Sequence, residues 1–248
     1  MSRYFCDLHI HSCLSPCADD DMTPGNIAGM AVLNGLQIVA LTDHNTCRNC
    51  PPFFEQAKRL GLIPVAGMEL TTAEDIHVVC LFPTLASAMD FDAFVQAHRP
   101  SIQNEAAYFG HQYRINDEDE VAEEEPILLL NASELSVEEA YAEVYGRGGA
   151  CFPAHIDRAS SGLIATLGDF PPDPPFTAFE LHDASKREDY LRRYPLLGSL
   201  VSVVSSDAHT LTDIAEADFT LDVPDEPYSS ARVREALIQL LRRKPPHG

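Results

Sequence analysis

The sequence predicts an α/β protein built on a largely parallel sheet. Short apolar runs rich in β-branched residues alternate with helix-like stretches and turn residues, the pattern of βα units. Several of those runs also end in His, Asp or Glu, which fits strands whose C-termini share one face. The chain has 248 residues, 45% of them hydrophobic, enough for a sizeable core without disulfide staples. It is read as a single domain over residues 1–248.

The expected strands cover residues 3–8, 37–41, 62–68, 77–82, 149–153, 176–181, 200–205 and 218–221. The first helix has Thr23 as its N-cap, Pro24 at its first position and Gly35 as its stop. Another opens on Ser136, which can share a capping box with Glu139. The last places Val233, Leu237, Leu240 and Leu241 on one stripe that packs against the sheet. Residues 96–131 break the alternation and form an insertion that could cap a pocket. Tyr108, Phe109, His111, Gln112, Tyr113 and Arg114 precede an acidic run over 117–125, which reads as a solvated hairpin or loop. The prolines of 171–175 mark a surface connection.

Lys and Arg number 17 against 38 Asp and Glu, a net charge of −21. Apart from Arg242, Arg243 and Lys244 there is no basic stretch, so long duplex nucleic acid and anionic membranes are expected to be poor partners. No signal peptide or membrane span is read, and the expected compartment is the cytoplasm. Seven cysteines without a secretion signal point to reduced thiols or metal ligation.

Chemistry concentrates in five motifs: Asp7-Leu8-His9-Ile10-His11, Thr42-Asp43-His44, Met68-Glu69, Ala154-His155 and Ser206-Asp207-Ala208-His209. Period-two spacing puts Asp7, His9 and His11 on one side of an extended segment, and Asp207 and His209 likewise. Clustered imidazoles and carboxylates suit Zn, Mn or Fe. Cys13, Cys17, Cys47 and Cys50 follow the first two strands and could hold a separate Zn or iron–sulfur group, or simply be reduced thiols. Cys6, Cys80 and Cys151 read as small core residues.

These motifs resemble the polymerase and histidinol phosphatase (PHP) superfamily of metal-dependent phosphoesterases, and the resemblance spans almost the whole chain. It implies a distorted (β/α)7 TIM-like barrel with two or three divalent cations at the strand C-termini. By motif, one cation takes His9, His11, Glu69 and Asp207. Glu69 bridges to a second that also uses His77 and His155. A third takes His44, His209 and Asp19, with Asp20 and Asp21 as alternatives by slippage. His77 opens an apolar run instead of ending one, so as a ligand it requires a strand running against the simple pattern.

The expected reaction is hydrolysis of a small anionic phosphorylated substrate, a phosphate ester, nucleotide or short oligonucleotide, by a hydroxide bridging the cations. Hydrolysis of an amide or carboxylic ester, or a non-catalytic metal-binding module serving a partner protein, are the alternatives. Arg158, three residues after His155, is expected to hold phosphate, and His182 to protonate the leaving oxygen or bind substrate. Lys186 is a weaker candidate. Asp7 and Asp43 are expected to accept hydrogen bonds from ligating imidazoles and fix their tautomers.

Overall fold

A computed structural model describes residues 1–243. The chain runs β1 (Ser2–Asp7), α1 (Pro24–Leu33), β2 (Ile38–Leu41), α2 (Cys50–Arg59), β3 (Ile63–Thr71), β4 (His77–Phe82), α3 (Leu85–Ala97) and α4 (Ala106–Phe109). It continues with β5 (Tyr113–Ile115), β6 (Val121–Glu124), α5 (Val137–Gly146), β7 (Ala150–Pro153), α6 (Leu163–Leu167), β8 (Ala178–Leu181), α7 (Arg187–Arg193), β9 (Val201–Val204), β10 (Thr220–Val223) and α8 (Ser230–Leu241). The end groups of α1 and α5 are satisfied as the sequence predicts: Thr23 accepts from the Asn26 amide, and Ser136 and Glu139 form the reciprocal capping box.

A curled six-stranded sheet, in the order β10-β1-β2-β3-β4-β7, and a β8-β9 pair make a distorted TIM-like barrel. β1, β2 and β3 are parallel, joined by right-sized α crossovers. The alternation breaks at β4, which returns as a hairpin antiparallel to β3 and is antiparallel to β7 as well. That reversal brings the first residue of β4, His77, to the end of the barrel where the other strands finish. Ile156 donates to the Glu180 carbonyl at 3.0 Å, linking β7 to β8. Asp207 donates to the His9 carbonyl at 2.9 Å and His11 to the Ala208 carbonyl at 3.0 Å, joining the end of β9 to that of β1.

Both faces of these strands are apolar because both are covered. Ile38, Ala40, Val65, Leu81, Phe152, Ala178 and Val203 face inward with Val233, Leu237, Ile238 and Leu241 of α8. Ile238 takes the place predicted for Leu240, which is only partly buried. Val39, Leu41, Met68, Val78, Cys80 and Phe82 face the outer helices. The alternation resets after β1, since Leu8 lies in the inner cluster and Ile10 in the outer one.

The 96–131 segment carries α4 and a β5-β6 hairpin and packs on the loop after β1. Tyr113 donates to the Cys13 carbonyl, and Asn49 bonds both the Tyr113 carbonyl and the Ile115 amide. Gly110, at φ 103°, passes so close to Pro16 that a Cβ there would lie 2.0 Å from its carbonyl oxygen. Asp119 at the hairpin turn accepts from the Thr23 hydroxyl and the Gly25 amide, both at 2.7 Å, and thus pins the hairpin to the start of α1. Arg242 spends its guanidinium on the Tyr145 and Gly149 carbonyls, so the C-terminal basic stretch is partly structural; Lys244 lies outside the described residues. Among the described residues no helix is long and apolar enough to cross a membrane.

Candidate metal centre

The ends of β1, β2, β3, β7 and β9 and the start of β4 deliver six histidines and two carboxylates to one place. His9, His11, Glu69 and Asp207 offer ligand atoms that lie within 4.8 Å of one another; so do His44, Glu69 and His77, and so do His11, His44 and His209. Glu69 is the hub. Its oxygens stand 3.0 Å from His44 Nδ1, 2.8 Å from His77 Nδ1, 3.0 Å from His155 Nε2 and 3.3 Å from His11 Nε2. His9 Nε2 and His11 Nε2 face each other at 3.2 Å, with Asp207 Oδ1 at 3.4 and 3.1 Å.

The donor set fits divalent cations. Ring nitrogens and carboxylate oxygens converge at distances where a cation would satisfy several lone pairs together, while His44 Nδ1 and Asp207 Oδ1, though close to Glu69 and His11, are buried without a contact of hydrogen-bond geometry. A cavity of about 110 Å³ opens on these residues and is walled on one side by Arg158, Ser160 and Ser161. A larger cavity of about 540 Å³ beside Met1 and α8 gathers no comparable set of ligands.

Burial disfavours charge throughout the cluster, and pairing decides where charge survives. Against that burial, Glu180, Asp207 and Glu69 hold His9 well above the ordinary histidine value. Asp207 and Glu69 bring His11 up to about 9. The surrounding imidazoles hold Glu69 and Asp207 below the usual carboxylate range despite burial. For His44 and His209 burial wins, aided by the positive His11, and they fall to about 3 and about 4.

Other predicted residues fall differently. Asp19 is exposed, and its carboxylate joins none of the three groups. The loop turns so that its backbone N–H caps the His209 carbonyl at 2.9 Å while its side chain borders a separate cavity with Asp20, Asp21 and His111. His155 reaches Glu69 but stands outside the three groups. Arg158 contacts the Asp207 carboxylate through Nη1, and its Nη2 lies 3.3 Å from His182 Nδ1, so the two residues meet at the rim. Lys186 is turned to Asp157 at 3.3 Å.

Of the two readings of the loop cysteines, the structure favours reduced thiols. Among the described residues no cysteine joins a metal-holding group. Cys50 Sγ faces the Leu41 and Gly67 carbonyls in the outer core, Cys13 Sγ faces the Tyr113 carbonyl, and Cys17 is exposed. Asp7 does not follow His9 and His11 into the site, because the strand ends there; it accepts the amides of His9, Ser206 and Ala215. Asp43 also misses the imidazoles. It accepts from Ser12 and from the Ser15 hydroxyl, and Ser15 in turn lies 2.9 Å from His11 Nδ1.

Glu180, like Ser15, is a residue that sequence reasoning missed. Its signal was a carboxylate between Phe179 and Leu181 in an otherwise apolar barrel strand, and its side chain bonds His9 Nδ1 at 2.9 Å.

This fold and cluster define an α/β barrel with a candidate metal centre at the ends of its strands. The PHP domain pattern matches residues 7–169, and the chain belongs to the PHP domain family, a family of metal-dependent hydrolases. An error-prone DNA polymerase of Symbiobacterium thermophilum is 34% identical over 77 residues, covering 31% of this chain and 7% of that protein. An uncharacterized protein of Methanocaldococcus jannaschii is 34% identical over 84 residues, covering 31% and 48%. The chain therefore spans less than half the length of these curated relatives. Among solved structures, the lesion-specific endonuclease PfuEndoQ from Pyrococcus furiosus superposes with a TM-score of 0.66 at 20% identity, over 98% of this chain and 57% of that one. Endonuclease Q in complex with a 27-mer duplex bearing an abasic lesion at the active site gives 0.63 at 21%, over 98% and 58%. A putative metal-dependent phosphoesterase from Bifidobacterium adolescentis gives 0.57 at 20%, over 82% and 87%.

The endonuclease complex overturns the exclusion of long duplex nucleic acid drawn from net charge. A protein of this fold holds a DNA duplex at its active site. Net charge sums the entire surface, whereas phosphate contact depends on the groups that line the binding face.

Proposed function

We propose that the protein hydrolyses phosphate esters at a centre of two or three divalent cations held by His9, His11, His44, Glu69, His77, His155, Asp207 and His209. The observation that carries this is the convergence of three overlapping ligand groups, two of histidines with carboxylates and one of histidines alone, beneath a rim bearing Arg158. Zn, Mn or Fe suits the donor set; when bound, such cations supply an acidified water and draw phosphate oxygens into line.

The chain's own residues do the rest. Arg158 binds a phosphate oxygen through N–H groups not used by Asp207 or His182. His182 is oriented by its backbone N–H on Asp157 Oδ1 at 2.8 Å; with Arg158 donating towards Nδ1, its remaining N–H is free to bind a substrate oxygen. Glu69, in contact with His11, His44, His77 and His155, would offer its oxygens to more than one cation. The 96–131 segment caps the loop after β1, and the whole chain acts as one unit.

The test loads the metal-stripped protein with Zn²⁺, Mn²⁺ or Fe²⁺ and screens an aryl phosphate, nucleotides, short oligonucleotides, duplex DNA with an abasic site, a carboxylic ester and an amide. Metal-dependent cleavage of a phosphate ester is expected. Turnover of only the carboxylic ester or amide refutes the phosphate assignment. Metal uptake without turnover of any of these compounds supports a non-catalytic module.

A further inference from the structure

The metal-centre reading uses one nitrogen of His9 and leaves the other to Glu180. The Glu180 side chain is 1% exposed. Its Oε1 faces His9 Nδ1 at 2.9 Å and accepts the His155 backbone N–H at 3.1 Å, and its Oε2 has no partner. Its own carbonyl accepts the Ile156 N–H at 3.0 Å.

We propose that Glu180 is a positioning residue that fixes His9 as the Nδ1–H tautomer and anchors the backbone of His155, thereby aligning ligands for two cation positions at once. The proposal rests on reading the cluster as a metal centre. A neutral imidazole has one N–H, and a carboxylate can only accept, so a carboxylate on Nδ1 places the proton there. Nε2 then presents its lone pair to the cluster. Without Glu180 the proton could sit on Nε2, where Glu69 and Asp207 wait at 3.4 Å and would accept it, blocking ligation. The shorter Glu180 contact decides the competition.

His155 poses a different problem with the same solution. Its φ of 26° is a left-handed conformation that non-glycine residues adopt at a cost. The side chain of Glu180 holds the N–H of His155, and its main chain holds the next N–H, so one residue of β8 pins the turn that aims His155 Nε2 at Glu69. Carboxylates behind metal-ligating histidines change metal affinity by about 10–100-fold when removed.

The experiment uses the full chain. In the Zn²⁺-loaded parent, ¹⁵N long-range NMR of His9 is expected to show a proton on Nδ1 and none on Nε2; the reverse tautomer overturns the proposal without any variant. Glu180→Gln keeps the acceptor oxygen and loses the charge, while Glu180→Leu loses both. Chelator competition is expected to show Zn²⁺ affinity about tenfold weaker for Gln and about 100-fold weaker for Leu, with a changed visible spectrum of the Co²⁺-loaded variants. Circular dichroism of the metal-free Gln variant is expected to match the parent. Parental affinity and parental Co²⁺ spectrum in a folded Gln variant refute the role of Glu180 alone. A parent that takes up no divalent cation refutes the metal centre and the proposal with it.

Discussion

Replacing Arg158 by Ala separates phosphate chemistry from hydrolysis at large, because the cations would serve a carbonyl substrate equally well. The guanidinium is 37% exposed and already shared between Asp207 and His182. A charge-assisted hydrogen bond is worth roughly 1.5–3 kcal/mol, and partial exposure places this one near the lower end. At about 1.4 kcal/mol per tenfold change, kcat/KM for a phosphate ester should fall by about ten- to thirtyfold. Zn²⁺ content should not fall, since Asp207 loses a competitor and keeps its ligand oxygens. Arg158→Lys keeps the charge without the planar fork and should restore only part of the rate. The assay is initial-rate phosphate release, with metal content measured on the same samples. Parental kcat/KM in Arg158→Ala would place Arg158 outside the reaction and leave phosphate selectivity to the cations.

Changing His9 or Asp207 to Ala should abolish metal-dependent turnover and lower metal content by elemental analysis, while circular dichroism shows a folded chain. Zinc titration of the metal-free protein at pH 7.5 should release about two protons, those of His9 and His11, readable by calorimetry in buffers of different ionisation enthalpy; no release would contradict the raised values. Stability of the metal-free protein should also depend on pH in a defined sense. His11, raised from 6.5 to about 9, contributes stability that is complete below 6.5 and lost as pH rises through 9. His44, lowered to about 3, makes the folded state lose stability as pH falls from 6.5 towards 3, so the contribution of these two histidines to the urea midpoint is greatest near 6.5, which the difference between the parent and a His11→Gln, His44→Gln double variant should show across pH. Asp119→Ala should lower stability by about 1–2 kcal/mol in urea unfolding, because it strips an acceptor from the first turn of α1; an unchanged midpoint would mean the hairpin is not anchored there.

The sequence made the barrel and its cluster legible where chemistry and strand ends coincide. His9 and Asp207 stand just beyond the ends of strands β1 and β9, and Glu69 stands two residues before the end of β3, where flanking apolar runs announced them. His77 was readable only as an anomaly, because antiparallel pairing of β4 is a tertiary fact that no local pattern contains. The loop after β1 was less readable. A run of Asp19, Asp20 and Asp21 has no periodicity to say which carboxylate turns inward, and none joins the cluster. Cysteine spacing suggested a thiolate site, but Cys50 begins a helix whose buried face carries its sulfur into the core. Ser15 and Glu180 escaped notice because their importance comes from what lies opposite them, Asp43 and His11 for one, His9 and His155 for the other.

The seam between β9 and β1 has a consequence for how the molecule comes into being. Asp207 and His9 are hydrogen-bonded neighbours drawn from opposite ends of the chain. Bringing them together closes nearly the largest loop the polypeptide contains, an entropic cost that intervening structure must reduce beforehand. The four-ligand pocket thus exists only after the last barrel strand has docked, so a nascent or truncated chain lacks the complete pocket however well its first half folds. A cation bound across the seam acts as a clasp: it stabilises the closed ring against the open one, and its removal should loosen the two ends before the middle.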